Sequence, residues 1–160
     1  SKISVEEFDG KFAEEASSIG HSISGADVLA LLSGELRPEM VNALNTIKKT
    51  LRIGCITNNV RTGEGPSMTR DPEKAARMNE VMALFDVVIE SSKVGLRKPD
   101  PAIYQLACRE MNIDPTEAVF LDDLGINLKP AKQLGMITIK VLNAEQALTE
   151  LEAHLAIALR

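Results

Sequence analysis

Apolar positions in the first 47 residues recur at helical spacing, and from residue 51 the chain switches to short apolar runs separated by helical stretches. Ser4-Val5-Glu6-Glu7 reads as a capping box, with Ser4 as N-cap and the glutamate three residues on. Val5, Phe8, Phe12, Ala13 and Ala16 then share one helix face, and Gly20 stops it. A second short helix is predicted from Ser24 through Val28, Leu29, Leu31 and Leu32, ending near Gly34. Pro38 suits the first turn of a third, whose face carries Met40, Val41, Leu44 and Ile47.

Residues 51–57 form a near-continuous apolar run, which predicts a strand buried on both faces. Residues 60–71 are polar and rich in Gly, Thr and Arg, and read as a loop. A helix is expected over 72–84, a strand over 86–90, a loop over 91–98 and a helix over 101–111. A strand over 118–121, a loop over 122–125 and a helix over 127–134 follow. The last pair is a strand over 136–141 and an amphipathic helix over 143–159. Strands alternating with helices imply an α/β fold with a parallel sheet and helices on both faces. The change of pattern sets the expected organisation: residues 1–35 as an all-helical piece and residues 36–160 as the α/β piece.

Composition narrows the class. The 160 residues are 44% hydrophobic, enough for a core, and 18 basic against 23 acidic residues leave a net charge of −5. A mildly acidic chain without a basic cluster argues against nucleic acid or an anionic membrane as partner. No apolar run is long enough to span a bilayer, and the first residues lack the apolar core of a signal peptide. Cys55 and Cys108 lie in apolar patterns and read as reduced thiols, so a cytoplasmic protein is expected.

Three motifs then carry chemistry, and each sits at a strand end or in the loop after one. Ligands of such sheets bind beyond the carboxyl ends of the strands. Thr57 closes the first strand, and its hydroxyl with the backbone N–H of Asn58 can hold phosphate oxygens, although Thr-Asn-Asn is also an ordinary turn. Lys98 precedes Pro99-Asp100-Pro101, a rigid setting from which an ammonium can neutralise a transferring phosphoryl group. Asp122 and Asp123 follow an apolar strand directly. Two adjacent carboxylates there call for a cation, and Mg²⁺ takes one or two protein carboxylates, although helix capping also favours acids at such a place. Asn127 either bonds the same site or caps the next helix. His21 and His154 have no ligand spacing, and Arg52, Arg61 and Arg70 read as solvated.

In combination these stretches resemble the haloacid dehalogenase-like hydrolase superfamily, in particular the phosphatase-type N-terminal domain of soluble epoxide hydrolases. The resemblance rests on Cys55-Ile56-Thr57-Asn58-Asn59, Glu90-Ser91-Ser92-Lys93-Val94-Gly95, Lys98-Pro99-Asp100-Pro101-Ala102-Ile103-Tyr104 and Val119-Phe120-Leu121-Asp122-Asp123-Leu124-Gly125-Ile126-Asn127, with Leu134-Gly135-Met136 closing it. It implies a Rossmann-like sheet, with residues 1–35 as the end of a helical cap. It implies Thr57 and Asn58 as phosphate binders, Lys98 as the catalytic lysine, Asp123 as a direct Mg²⁺ ligand and Asp122 as a ligand or its supporting partner. The reaction implied is hydrolysis of a small phosphate monoester. An aspartate attacks phosphorus, and a second aspartate two residues on protonates the leaving group and later activates water.

The family's Asp-x-Asp strand has no counterpart here. Phe8-Asp9-Gly10 is the nearest candidate, but Lys11 stands two residues on and the stretch lies inside a helical pattern. That strand belongs at the centre of the sheet, so the chain is expected to behave as an inactive fragment. With its edges unsatisfied it would be marginally stable, or it would pair them with another chain, by strand exchange or homo-oligomerisation, or with a rearranged segment. A 2-haloacid dehalogenase and a non-catalytic binding domain of the same fold are the alternative readings.

Overall fold

The computed structural model describes residues 4–32, 34–59 and 72–159, without the side chains of Ala30 and Leu32. The loop expected over 60–71, with Arg61 and Arg70, lies outside the described residues. The chain divides into two compact units, one of residues 1–35 with 59–82, the other of residues 36–58 with 83–160.

The first unit holds α1 (Val5–Ser18), α2 (Gly25–Leu32) and α4 (Pro72–Met82). The expected capping box is present: the Glu7 N–H donates to Ser4 Oγ at 3.1 Å, and the Ser4 N–H to Glu7 Oε2 at 2.9 Å. Asp9 lies within α1, and its carboxylate accepts the Ala26 N–H at 2.8 Å, tying α1 to the first turn of α2. It is a helix-packing residue and not a strand-end acid. Gly25 is needed at that contact, because a Cβ there would stand 2.7 Å from the Asp9 backbone.

The second unit is an α/β layer with a Rossmann-like arrangement. Its elements are α3 (Pro38–Ile47), β1 (Gly54–Thr57), β2 (Val87–Glu90), α5 (Ser91–Val94), α6 (Pro101–Met111), β3 (Val119–Asp122), α7 (Gly125–Gln133), β4 (Ile137–Lys140) and α8 (Ala144–Leu155). A 3₁₀ turn, Pro115–Glu117, precedes β3. The short α5 occupies the first half of the expected 91–98 loop. α6 starts where Pro101 takes its first position and the Asp100 carboxylate caps the Ala102 N–H at 2.9 Å. It ends on Asn112 in the left-handed region. α8 is shorter than expected: Asn143 caps it, and Ala156 at φ 53 closes it before the apolar residues 157 and 159.

All strand pairing among the described residues is parallel. Thr57 is opposite Glu90 in the β1–β2 ladder, and Asp122 is opposite Lys140 in the β3–β4 ladder. Among the described residues no ladder joins the two pairs. They nevertheless pack into one unit: both pairs contribute to one shared cluster, and Ile53, just before β1, joins β3 and β4 in a second. Ile53, Val119, Leu121 and Ile139 pack with α3 and α8 through Ala43, Ile47, Leu148 and Leu151. Ile56, Val87, Ile89 and Phe120 pack with α6 and α7 through Ile103, Tyr104, Ala107 and Ala131. The alternation of Val119 and Leu121 against Phe120 is the period-two pattern of a strand covered on both faces.

The expected full burial of residues 51–57 is not observed. Leu51 and Gly54 are exposed, and Cys55, Ile56 and Thr57 are only half-buried. The ladder of β1 along Gly54–Thr57 runs to β2 alone, so one edge has no neighbour among the described residues. No helix among the described residues is long and apolar enough to cross a membrane.

Candidate functional site

The carboxyl ends of β1 and β3, with the segment entering α6, bring the sequence-predicted residues together. At β1, Ile53 and Asp86 exchange two hydrogen bonds of 2.8 Å at the amino end, which sets the register that ends in Thr57. Thr57 is half-buried, and its hydroxyl makes no hydrogen bond among the described residues. Next to it, the Asn58 side chain grips the backbone of Lys98 from both sides. Its Nδ2 donates to the Lys98 carbonyl at 3.0 Å, and its Oδ1 accepts the Lys98 N–H at 2.9 Å. The Lys98–Pro99 peptide is cis.

The Lys98 ammonium is directed at β3. Its Nζ donates to Asp122 Oδ2 at 2.8 Å and stands 5.8 Å from the centre of the Phe120 ring, a favourable position for a cation over an aromatic face. Asp122 is buried and fully engaged. Its Oδ1 accepts the Leu124 N–H and the Asn127 Nδ2, both at 2.9 Å. Burial alone would push this carboxyl up. The hydrogen bonds from Lys98, Asn127 and Leu124, with the Lys98 charge, outweigh it and hold Asp122 below the usual carboxylate range. Asn127 therefore bonds the site and does not cap α7, whose N-cap is Leu124.

Asp123 is different. Seven aspartates are described. Asp9, Asp27, Asp86, Asp100, Asp114 and Asp122 each accept a hydrogen bond from a backbone or side-chain donor. Asp123 alone takes none, and it is exposed at the carboxyl end of β3. Hydrogen bonds to Lys98, Leu124 and Asn127 therefore account for the first acid of the pair and leave the second unexplained. A lone hard-oxygen donor at a strand end fits one corner of a Mg²⁺ site, which draws its remaining ligands from water and substrate phosphate. Among the described residues no group of three His, Cys, Asp or Glu gathers into a protein-only metal cage.

Two neighbours stood in the quoted stretches of sequence without a role. Glu90, opposite Thr57 in the ladder, is buried and pairs with Lys93 at 2.5 Å. Tyr104 is fully buried under Phe120. Only the apolar setting of Tyr104, a position where phenylalanine would pack equally well, hints at a polar duty for its hydroxyl. Burial, with the Lys98 charge opposing it and the Glu90 charge adding to it, pushes the Cys55 thiol up, so it is not an activated nucleophile.

The model of the family described as "haloacid dehalogenase-like hydrolase" matches residues 4–135. Acyl-CoA dehydrogenase family member 10 of Mus musculus is 38% identical over 99% of this chain and 14% of its own length. Bifunctional epoxide hydrolase 2 of the same organism is 40% identical over 82% of the chain and 23% of its own length. The chain thus spans a quarter or less of these curated relatives. A HAD family enzyme of Bacteroides thetaiotaomicron, solved in complex with magnesium and inorganic phosphate, shares the fold at TM-score 0.61 and 20% identity, over 86% of this chain and 69% of that one. With three motifs at or just beyond the carboxyl ends of parallel strands and a family model matching residues 4–135, this chain belongs to the haloacid dehalogenase-like hydrolases.

Proposed function

We propose that the chain is the phosphate-, lysine- and metal-bearing part of a magnesium-dependent phosphatase for a small phosphate monoester. The observation that carries this reading is the convergence of Thr57, Asn58, Lys98 and Asp122 on one edge of the layer, with Asp123 beside them as the one aspartate among the described residues that accepts no hydrogen bond. The Thr57 hydroxyl and the Asn58 backbone N–H hold phosphate oxygens. Lys98 supplies positive charge toward the transferring phosphoryl group. Asp122 fixes the ammonium in place, and Asp123 holds Mg²⁺. When bound, the metal offsets repulsion between an attacking carboxylate and the phosphate. Residues 1–35 serve as part of a helical cap that selects the substrate.

The nucleophile is the piece this reading must supply. Asp122 is committed to three donors, and the other described aspartates except Asp123 are spent on helix ends, turns and packing. The edges of β1 and β3 that have no neighbour among the described residues suit a parallel strand carrying the attacking aspartate, delivered from elsewhere in the polypeptide or from a second chain. The chain by itself should then bind phosphate with Mg²⁺ and turn nothing over. A non-catalytic binding role is favoured by the same observation: once Asp123 is given to the metal, no other described aspartate is uncommitted.

The test is titration of the chain with inorganic phosphate, with and without Mg²⁺, followed by amide shifts. Movement of the Thr57 and Asn58 amides, dependent on Mg²⁺ and lost in Asp123→Asn, supports the site. Shifts elsewhere, or none, sink it. Hydrolysis of p-nitrophenyl phosphate that vanishes in Asp123→Asn would instead overturn the claim that another strand must bring the nucleophile.

A further inference from the structure

We infer that Tyr104 is a positioning residue for Lys98 and Asp122, acting through its hydroxyl and its ring at once. The side chain is among the largest that are fully buried, and burying a phenol is costly unless the O–H finds an acceptor. Here the hydroxyl donates to the main-chain carbonyl of Asn127 at 2.7 Å. That carbonyl lies in the first turn of α7, and the side chain of the same residue donates to Asp122 Oδ1. The Tyr104 ring meets Phe120 edge-on, with centres 5.3 Å apart and planes at 85°, and the Phe120 ring lies under the Lys98 ammonium. One side chain of α6 thus supports both ends of the Lys98–Asp122 pair.

The hydroxyl does what packing alone cannot. Asn127 reaches Asp122 only while its main chain holds its place at the start of α7, where the N-cap, Leu124, makes no side-chain hydrogen bond. A phenylalanine would keep the edge-to-face contact and release the Asn127 carbonyl. The amide would then leave Asp122, and Lys98 would remain as its one side-chain donor.

This inference rests on the reading of Lys98 and Asp122 as site residues, but its test needs neither ligand nor turnover. The measurement is NMR of the ligand-free chain carrying Tyr104→Phe, observing the Asn127 side-chain amide and the Lys98 ammonium beside the thermal midpoint. Loss of one buried hydroxyl hydrogen bond should speed exchange of the Asn127 Nδ2 protons about tenfold and shift the Lys98 Nζ resonance. A lowered midpoint with both signals unmoved would mean a purely structural hydroxyl and overturn the inference. Should Tyr104→Phe fail to fold, Asn127→Ala carries the test: a Lys98 shift is expected, and an unmoved Lys98 refutes the relay. Phosphate titration failing while these signals move would count against the phosphatase reading and not against the role of Tyr104.

Discussion

Removing Lys98 should damage the fold more than removing a surface lysine, because it strands a buried charge. In Lys98→Met the Asp122 carboxylate, whose side chain is 4% exposed, loses a partner at 2.8 Å. Breaking one side of a buried pair costs about 3–5 kcal/mol. Asp122 keeps the Leu124 N–H and the Asn127 amide, and Lys98 itself is 14% exposed, which places the expected cost at the lower end, about 3 kcal/mol. For a denaturant slope of about 2 kcal/mol per molar, the urea midpoint falls by about 1.5 M. The pair Lys98→Met with Asp122→Asn removes the stranded charge and should recover about 2 kcal/mol relative to the sum of the single changes. The sign with pH is equally definite. In the native chain Asp122 is depressed, so its contribution is complete above the ordinary aspartate value of 3.8 and is lost as pH falls below that through its folded value. In Lys98→Met the depression is relieved and the acid-side loss shrinks. Urea melts followed by far-ultraviolet circular dichroism at pH 7 and at pH 4 and below would measure both. A cost under about 1 kcal/mol, or single effects additive within about 0.5 kcal/mol, would refute the reasoning.

Asn58→Ala should cost about 1–2 kcal/mol, since two hydrogen bonds to the Lys98 backbone go and one partner is left short; Asn58→Asp, keeping only the acceptor, should fall between alanine and the native residue in the same melts. Gly135 has φ +102, and a Cβ there would meet Thr116 Cγ2 at 3.0 Å, so Gly135→Ala should lose about 1–2 kcal/mol, whereas Gly125→Ala, with open space around it, should not. Tyr104 is the sole tyrosine, and no tryptophan obscures it. Burial first, and the Asp122 charge second, push its phenol up to about 12 from 10. Its neutral form therefore contributes stability in full below pH 10, lost as pH rises through 12, and absorbance at 295 nm should titrate well above an ordinary phenol until the chain unfolds.

The strand ends were readable because apolar runs closing on Thr57 and Asp122 state both the element and its carboxyl edge, and the parallel order follows from the helices between them. Boundaries slipped where tertiary context decides. The run over 51–57 looks buried on both faces from its residues alone, yet half-exposed positions remain where an edge has no neighbour among the described residues. Within the site, residue types announced Lys98 and the acid pair. What no spacing announces is which carboxylate is occupied. By residue type and spacing Asp122 and Asp123 are equivalent; the resemblance alone distinguishes them, and the folded first turn of α7, delivering the Leu124 N–H and Asn127, is what occupies Asp122. The second use of Asn58, as a clamp through its side chain, was invisible for the same reason: its partner lies forty residues away.

The edges of β1 and β3 that have no neighbour among the described residues also bear on how the chain survives in a crowded solution. An unpaired edge offers N–H and C=O groups to any extended segment, and natural sheets discourage this with lysine, proline or a bulge. Gly54-Cys55-Ile56-Thr57 carries no charge and no proline, and Val119-Phe120-Leu121-Asp122 carries a single acid at its last position, already neutralised by Lys98. Nothing along either strand acts as a gatekeeper. The readiness to take up one correct strand is therefore inseparable from a readiness to aggregate, and protein made without that strand should be an early client for chaperones and proteases.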